Sequence, residues 1–128
     1  SVPARCPIRS RSQLVEDVAA WDSDVLLVTN DPLGVELFTG RYVPETVAKT
    51  FGGSNERTGR LDAFVERVRC RGHLGLAWFT RPGDRSRLYS PEELAQHLQV
   101  VPLVQRADGV IYDLRPLPGD GDPAGGRC

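Results

Sequence analysis

An amphipathic helix followed at once by an apolar strand constrains the fold of this chain more than any other stretch of its sequence. Between residues 60 and 71, apolar side chains recur at the i, i+3, i+4, i+7 spacing of a helix with one buried face, and Gly72 is suited to end that helix. Those apolar residues are Leu61, Phe64, Val65 and Val68. Residues 74–80 are almost entirely apolar, which predicts a strand covered on both faces. The chain must therefore bury a helix against a sheet.

Shorter signals on either side of this unit predict further helices. Ser10 suits the start of a helix that reaches residue 21. Pro44 suits the first position of a short helix over 44–51, with Val47, Ala48 and Phe51 facing inward. Ser90 and Glu93 have the spacing of a capping box, which predicts the start of a third helix.

The predicted strands follow no regular alternation with the helices. They are a buried central strand at 24–29, strands at 35–38 and 41–43 after a turn at 30–34, and a hairpin of 100–105 with 110–114. This order favours an α+β fold. We expect a mixed or antiparallel sheet and about three to four short helices in a single compact domain.

A chain of 128 residues with 40% hydrophobic residues has the size and composition of one domain with one core. The globular domain is expected at 10–115, between an irregular arm at 1–9 and a flexible Pro/Gly-rich tail at 116–128. The residues expected in the core are Val18, Leu26, Val28, Phe38, Phe64, Val65, Val68, Leu76, Trp78, Leu94, Leu98, Val101, Val110 and Tyr112.

Neither the composition nor the cysteines assign a compartment. No apolar run reaches the roughly 20 residues that cross a bilayer. Because the sequence has no Met, we expect a mature fragment or an excised domain, soluble and either cytoplasmic or exported.

Cys6, Cys70 and Cys128 lack the spacing of metal ligands, so no metal is expected. Two alternatives remain for the cysteines: a disulfide between Cys6 and Cys128, or three separate thiols.

Arginine is concentrated in one part of the chain. Residues 57–87 carry a net charge of +5, whereas the remainder carries −6. A GC-rich genome explains why Arg outnumbers Lys 15 to 1. A functional explanation is that guanidinium groups bind carboxylates and phosphates through paired hydrogen bonds. Phe64 and Trp78 within this segment are expected in the core and not stacked on bases, so we do not expect a nucleic-acid partner.

Two further features of the sequence are candidate sites. The loop at 52–60 places glycines, Arg57 and Arg60 before a helix, which resembles a phosphate cradle but lacks the Lys-Ser/Thr of a P-loop. His73 and His97 could each act as a general base. No nucleophile signature and no paired carboxylates accompany them, so the catalytic residues stay unknown.

The segments Gly40-Arg41-Tyr42-Val43 and 75–83 (GLAWFTRPG), followed by Tyr89, resemble the tuberculosis-necrotizing-toxin type of NAD glycohydrolases. The resemblance covers about residues 34–90. It implies a small β-rich domain related to ADP-ribosyltransferases. In such a domain Arg41 would hold phosphate, Trp78 and Phe79 would line the nicotinamide pocket, and Tyr89 or His73 would assist. Arg81 replaces the glutamine that this family uses in catalysis, and the arginine expected in the strand before Gly40 is absent. A member with these changes would bind a nucleotide without cleaving it.

Two functions therefore remain, and we favour the first. It is a small binding module, without a cofactor, whose arginine-rich face binds an acidic protein partner or a small anionic ligand. The second is an NAD-binding or NAD glycohydrolase-like toxin domain, with NAD as ligand or substrate. The candidate binding residues are Arg41, Arg57, Arg60, Arg81, Arg85, Arg87, Tyr89 and His73.

Overall fold

A computed structural model describes residues 13–50, 58–80 and 87–119 of the chain. The helices in this part are α1 (Gln13–Ala19), α2 (Pro32–Thr39), α3 (Leu61–Arg71) and α4 (Pro91–Leu94). The strands are β1 (Leu27–Thr29), β2 (Leu74–Phe79), β3 (Leu98–Arg106) and β4 (Gly109–Pro116). No helix among these residues is both long enough and apolar enough to cross a membrane.

The four strands form one mixed sheet in the order β1-β2-β4-β3. β1 is parallel to β2, whereas β4 is antiparallel to both β2 and β3. The hairpin between β3 and β4 turns at Ala107 and Asp108, as predicted. This mixed sheet with short helices confirms the predicted α+β fold.

Alternate residues of the strands feed two hydrophobic clusters, because successive side chains of a strand point to opposite faces of the sheet. On one face, α1 and α2 contribute to a cluster of Leu14, Val15, Val18, Leu27, Val35, Val43, Ala77, Phe79 and Ile111. On the other face, α3 and α4 contribute to a cluster of Val28, Val47, Phe64, Val68, Leu74, Leu76, Leu94, Leu98 and Leu114. The helices thus cover both faces of the sheet.

The helix–strand unit at 60–80 forms as predicted. Phe64 and Val68 are buried, and Gly72 ends α3 with a positive φ of 85°, a conformation that favours glycine. β2 is buried along nearly its whole length. The capping box at Ser90 and Glu93 is also confirmed, but α4 is a single turn, and β3 begins at Leu98.

The predicted strand at 35–38 is wrong, because this segment belongs to α2. Asp31 caps the helix by accepting a hydrogen bond from the Gly34 amide, and Pro32 occupies the first turn. Gly40 ends it in the left-handed conformation. The 30–34 segment, interpreted as a turn, is therefore a helix start, and residues 41–43 form no strand.

The predicted helix at 44–51 is also wrong, since its described residues are extended. The Thr46 amide donates to the Thr29 carbonyl, and the Lys49 amide donates to the Arg87 carbonyl. These long-range hydrogen bonds replace the i to i−4 bonds of a helix. Val47 and Ala48 are nevertheless buried, as predicted.

Two boundaries, the position of one strand and two core residues need correction. β1 covers only Leu27–Thr29 and lies at the end of the strand order, so it is not a central strand. Pro116 ends β4 and does not begin the tail. Phe38 is 59% exposed because α2 buries Val35 instead, and Val101 is 41% exposed on the outer strand β3.

Cys70 is disulfide-bonded and is therefore not a separate thiol. Cys6 and Cys128 lie outside the described residues, as do the 1–9 arm, Ser10, Phe51, most of the 52–60 loop and the tail from residue 120.

Candidate functional site

A pocket of about 230 Å³ lies between α3 and the extended segment 45–48. We call it the α3 pocket. Arg60, Ala63, Phe64 and Arg67 line it from the helix, and Glu45 and Thr46 line it from the extended segment. The four helical residues have the i, i+3, i+4, i+7 spacing that places side chains on one helical stripe. The two arginines therefore lie about two turns apart on the same face of the helix.

Charge and burial differ along this stripe. Phe64 is buried against the sheet, whereas Arg60 and Arg67 are exposed. Arg67 makes no ion pair within the residues that the structure describes. Long arginine side chains can bury their stems while keeping the charged group in water. The pocket is thus lined by apolar side chains such as Phe64 together with the exposed residues Arg60 and Arg67.

Thr46 is the unusual residue of the α3 pocket. Its side chain is nearly inaccessible to solvent, with the residue 3% exposed. Its backbone amide donates to the Thr29 carbonyl over 2.8 Å. Its hydroxyl oxygen Oγ1, in contrast, has no hydrogen-bond partner among the described residues. Buried polar groups are almost always paired, so an unpaired one requires an explanation.

The start of α3 also departs from the usual pattern. Arg60 occupies the N-cap position in a helical conformation, and no side chain caps the helix. The first amide groups of a helix have no partner within the helix and carry partial positive charge. The Arg60 amide donates to Thr58 Oγ1, and Asp62 provides a carboxylate in the first turn, which suits this end of the helix dipole.

The carboxylate of Glu45, which also lines the pocket, is engaged by a neighbour. Arg87 Nη2 lies 2.5 Å from Glu45 Oε2, and both side chains are about one-third exposed. The ion pair with Arg87 thus offsets the negative charge that Glu45 brings to the pocket. The other charged side chains that line the pocket are the two guanidinium groups of Arg60 and Arg67.

A second pocket, of about 400 Å³, is lined by Lys49, Gly59, Tyr89 and Glu93. Lys49 Nζ lies 2.6 Å from Glu93 Oε2 and 5.8 Å from the centre of the Tyr89 ring. The hydrogen bond from Lys49 lowers the pKa of Glu93, and the bond from the Ser90 amide lowers it further. Tyr89, predicted as a ligand-binding residue, therefore already contacts a cation of the chain itself.

A buried carboxylate lies at a third pocket, of about 290 Å³, which Trp21 and Leu103 also line. Asp113 is 4% exposed. Its Oδ1 lies 3.2 Å from His73 Nδ1, and its Oδ2 accepts a 2.5 Å hydrogen bond from Arg115 Nε. Sequence reasoning found His73 but missed Asp113 and Arg115. Their spacing could have indicated the pair, because residues two apart on a strand lie on the same face of the sheet.

The structure separates the predicted binding residues. Arg60 and Arg87 lie at or beside the α3 pocket, together with Arg67, which the sequence analysis did not select. Arg41 donates from Nη1 to the carbonyls of Val18 and Trp21, so it holds the end of α1. His73 also lies on the Trp21 side of the sheet.

The remaining candidate binding residues, Arg57, Arg81 and Arg85, lie outside the described residues. No group of three or more His, Cys, Asp or Glu side chains that could hold a metal ion occurs in the part of the chain that the structure describes. In comparisons with known proteins, no family model, no curated protein and no solved structure matches this chain.

Proposed function

We propose that this protein is a binding module that holds an anionic group in the α3 pocket. The observation that carries the proposal is the placement of Arg60 and Arg67 on one helical stripe, at the rim of a concave pocket. Two guanidinium groups on the same face can both donate hydrogen bonds to one acidic group.

The size of the pocket favours a small acidic group over a flat acidic surface. Sites for drug-sized ligands have volumes of roughly 300–1,000 Å³. The α3 pocket has about 230 Å³, which suits one phosphate or carboxylate group with the rest of its molecule outside. An acidic protein partner would have to insert a single side chain or terminal group.

The experiment compares anion binding by the parent protein and by Arg67→Ala. Isothermal titration with phosphate and with acetate is expected to show binding that falls about tenfold or more in this variant, because a charge-assisted contact is lost. Arg71→Ala is the matched control, since Arg71 lies on the same helix, is exposed and does not line the pocket.

Two results contradict the proposal. One is no detectable anion binding by the parent protein at low ionic strength. The other is an equal loss in Arg67→Ala and Arg71→Ala, which would indicate a general effect of charge. Binding should also weaken as salt is added, because the rim of the pocket is exposed.

The NAD-binding or NAD glycohydrolase-like alternative stays a prediction. It is tested by incubating the protein with NAD and measuring free nicotinamide, together with the thermal shift that NAD causes. No release and no shift would end it, and a shift without release would support a nucleotide binder.

A further inference from the structure

We propose that the pocket of about 290 Å³ beside Trp21 binds a neutral aromatic ring that carries a hydroxyl group. We call this cavity the Trp21 pocket. It shares no lining residue with the α3 pocket, so binding here is independent of the proposed anion site. Sites for drug-sized ligands have volumes of roughly 300–1,000 Å³, and a cavity just below that range suits one substituted ring.

The apolar part of the lining consists of Trp21, Val25 and Leu103. The indole is held in place, because its Nε1 donates to the Val25 carbonyl over 3.0 Å. It also packs closely on β2, where a Cβ at Gly75 would lie 2.7 Å from Trp21 Cζ2. Leu103 is 52% exposed on the outer strand β3, so its side chain is accessible to a ligand. An aromatic ring gains contact area and a favourable ring–ring geometry from an indole that is already ordered.

The imidazole of His73 provides a hydrogen-bond acceptor in the lining. Asp113 Oδ1 lies 3.2 Å from His73 Nδ1, and a carboxylate can only accept, so Nδ1 carries the proton. The charge of Asp113 is offset by Arg115, whose Nε donates to Oδ2, so His73 has no need to be charged. In the neutral ring, Nε2 is then the acceptor. The His73 side chain is 48% exposed, and Nε2 has no partner among the described residues.

Arg115 provides donors beside this acceptor. Its side chain is 58% exposed, and only its Nε is engaged by Asp113 within the part of the chain that the structure describes. Because His73 and Arg115 bond to the two oxygens of one carboxylate, they are neighbours in the lining. A hydroxyl group can donate to His73 Nε2 and accept from a guanidinium N–H of Arg115. An ammonium group cannot use the guanidinium donors, and a carboxylate cannot use the imidazole acceptor.

The charges of the lining also disfavour an ionic ligand. Asp113 and Arg115 offset each other, and the exposed Asp22 adds a carboxylate that repels anions. A cation is repelled by Arg115, and an ammonium group brings three donors to a pocket where His73 offers one free acceptor. Contact with the apolar residues removes water from an ion, which is unfavourable. A neutral ring with one hydroxyl avoids these costs.

Titrations followed by heteronuclear NMR test the proposal, because the indole Nε1–H signal of Trp21 reports on the pocket itself. The parent protein is titrated with phenol, anisole, benzoate, benzylamine and N-acetyltyrosinamide. We expect phenol to bind about threefold or more tightly than anisole, which has the same ring but no donor. His73→Leu should abolish this difference by weakening phenol binding. The control His97→Leu should preserve it, since His97 is exposed and does not line the pocket.

Equal binding of phenol and anisole by the parent protein overturns the role of the hydroxyl, whether or not His73→Leu folds. A preference for phenol that persists in His73→Leu overturns the role of His73. Tighter binding of benzoate or benzylamine than of phenol overturns the neutral ligand, and a Trp21 signal that responds to no probe overturns the site. Tighter binding of N-acetyltyrosinamide than of phenol supports a tyrosine side chain as the ligand, and weaker binding supports a free phenol.

Discussion

The side-chain amide of Asn30 exchanges two hydrogen bonds with the backbone of Phe79. Asn30 Nδ2 donates to the Phe79 carbonyl over 2.8 Å, and the Phe79 amide donates to Asn30 Oδ1 over 2.8 Å. Both residues are buried. Asn30 therefore provides hydrogen-bond partners for the last backbone groups of β2, at a point beyond the end of β1. Its side chain thus extends the pairing of the two strands.

This exchange requires a group that both donates and accepts. Asn30→Asp keeps the shape but brings a carboxylate oxygen against the Phe79 carbonyl, and leaves that carbonyl unsatisfied. We expect a loss of about 1–3 kcal/mol or more in the free energy of unfolding. Urea denaturation measures it, with Gln105→Glu, an exposed position on β3, as the control for the same chemical change. Equal effects at both positions would show that the exchange contributes nothing.

Gly75 allows the Trp21 indole to pack directly on β2. A Cβ at position 75 would lie 2.7 Å from Trp21 Cζ2 and 2.9 Å from Leu27 Cδ1, and the indole is held by a hydrogen bond to the Val25 carbonyl. Gly75→Ala is expected to cost about 1–3 kcal/mol of stability through overpacking. In a double-mutant cycle, Trp21→Leu should reduce that cost. An unchanged cost in the double variant would argue against the contact.

The ion pair of Lys49 and Glu93 predicts a pH dependence. The pKa of Glu93 is below its ordinary value of 4.5, mainly because of the hydrogen bond from Lys49. A lowered pKa stabilises the fold above the unfolded-state pKa, and the contribution is lost as pH falls through the folded-state pKa. The stability advantage of the parent over Glu93→Gln should therefore be constant near neutral pH and should shrink on acidification below about 4.5.

Denaturation curves of both proteins between neutral and acidic pH test this, since the other titrating groups are common to the pair. In the Lys49→Gln variant, Glu93→Gln should change the free energy of unfolding at acidic pH less than it does in the parent protein. An advantage that does not vary with pH would contradict the role of the ion pair.

Removing Arg115, the ion-pair partner of the buried Asp113, should cost more stability than removing the charge of Asp113 itself. Its carboxylate is buried, whereas the Arg115 side chain is 58% exposed. In Arg115→Gln, the buried carboxylate of Asp113 keeps only His73 as a partner. In Asp113→Asn, the exposed Arg115 side chain can still be solvated by water. We expect Arg115→Gln to destabilise by about 1–3 kcal/mol and Asp113→Asn by less. Urea denaturation of the two variants and their combination checks this order, and the reverse order would refute it.

Local signals predicted the parts of the fold that a few neighbouring residues decide. The helical stripe of α3, the ending at Gly72, the capping box at Ser90 and the turn before Gly109 all depend on spacings of a few residues. In 32–39 two local signals competed. The apolar run suggested a strand, but the cap at Asp31 and the glycine at position 40 prevailed and made a helix.

Long-range contacts decided the rest of the fold. Residues 44–50 are extended because Thr46 and Lys49 bond to backbone groups of Thr29 and Arg87, which lie far away in the sequence. The extended segment brings Thr46 beside α3, so the α3 pocket exists only once these bonds have formed. No local pattern around Thr46 indicates that its hydroxyl is buried.

The sequence by itself determined the fold class, the strongest helix and the arginine-rich segment that supplies the rim of the pocket. Only the tertiary structure decided which arginines share a face, that Arg41 holds α1, and that Thr46 and Asp113 are buried. The physical reason is that helix periodicity and capping depend on residues within one or two turns. Burial and hydrogen-bond pairing of a polar side chain depend instead on distant segments that meet only in the folded chain.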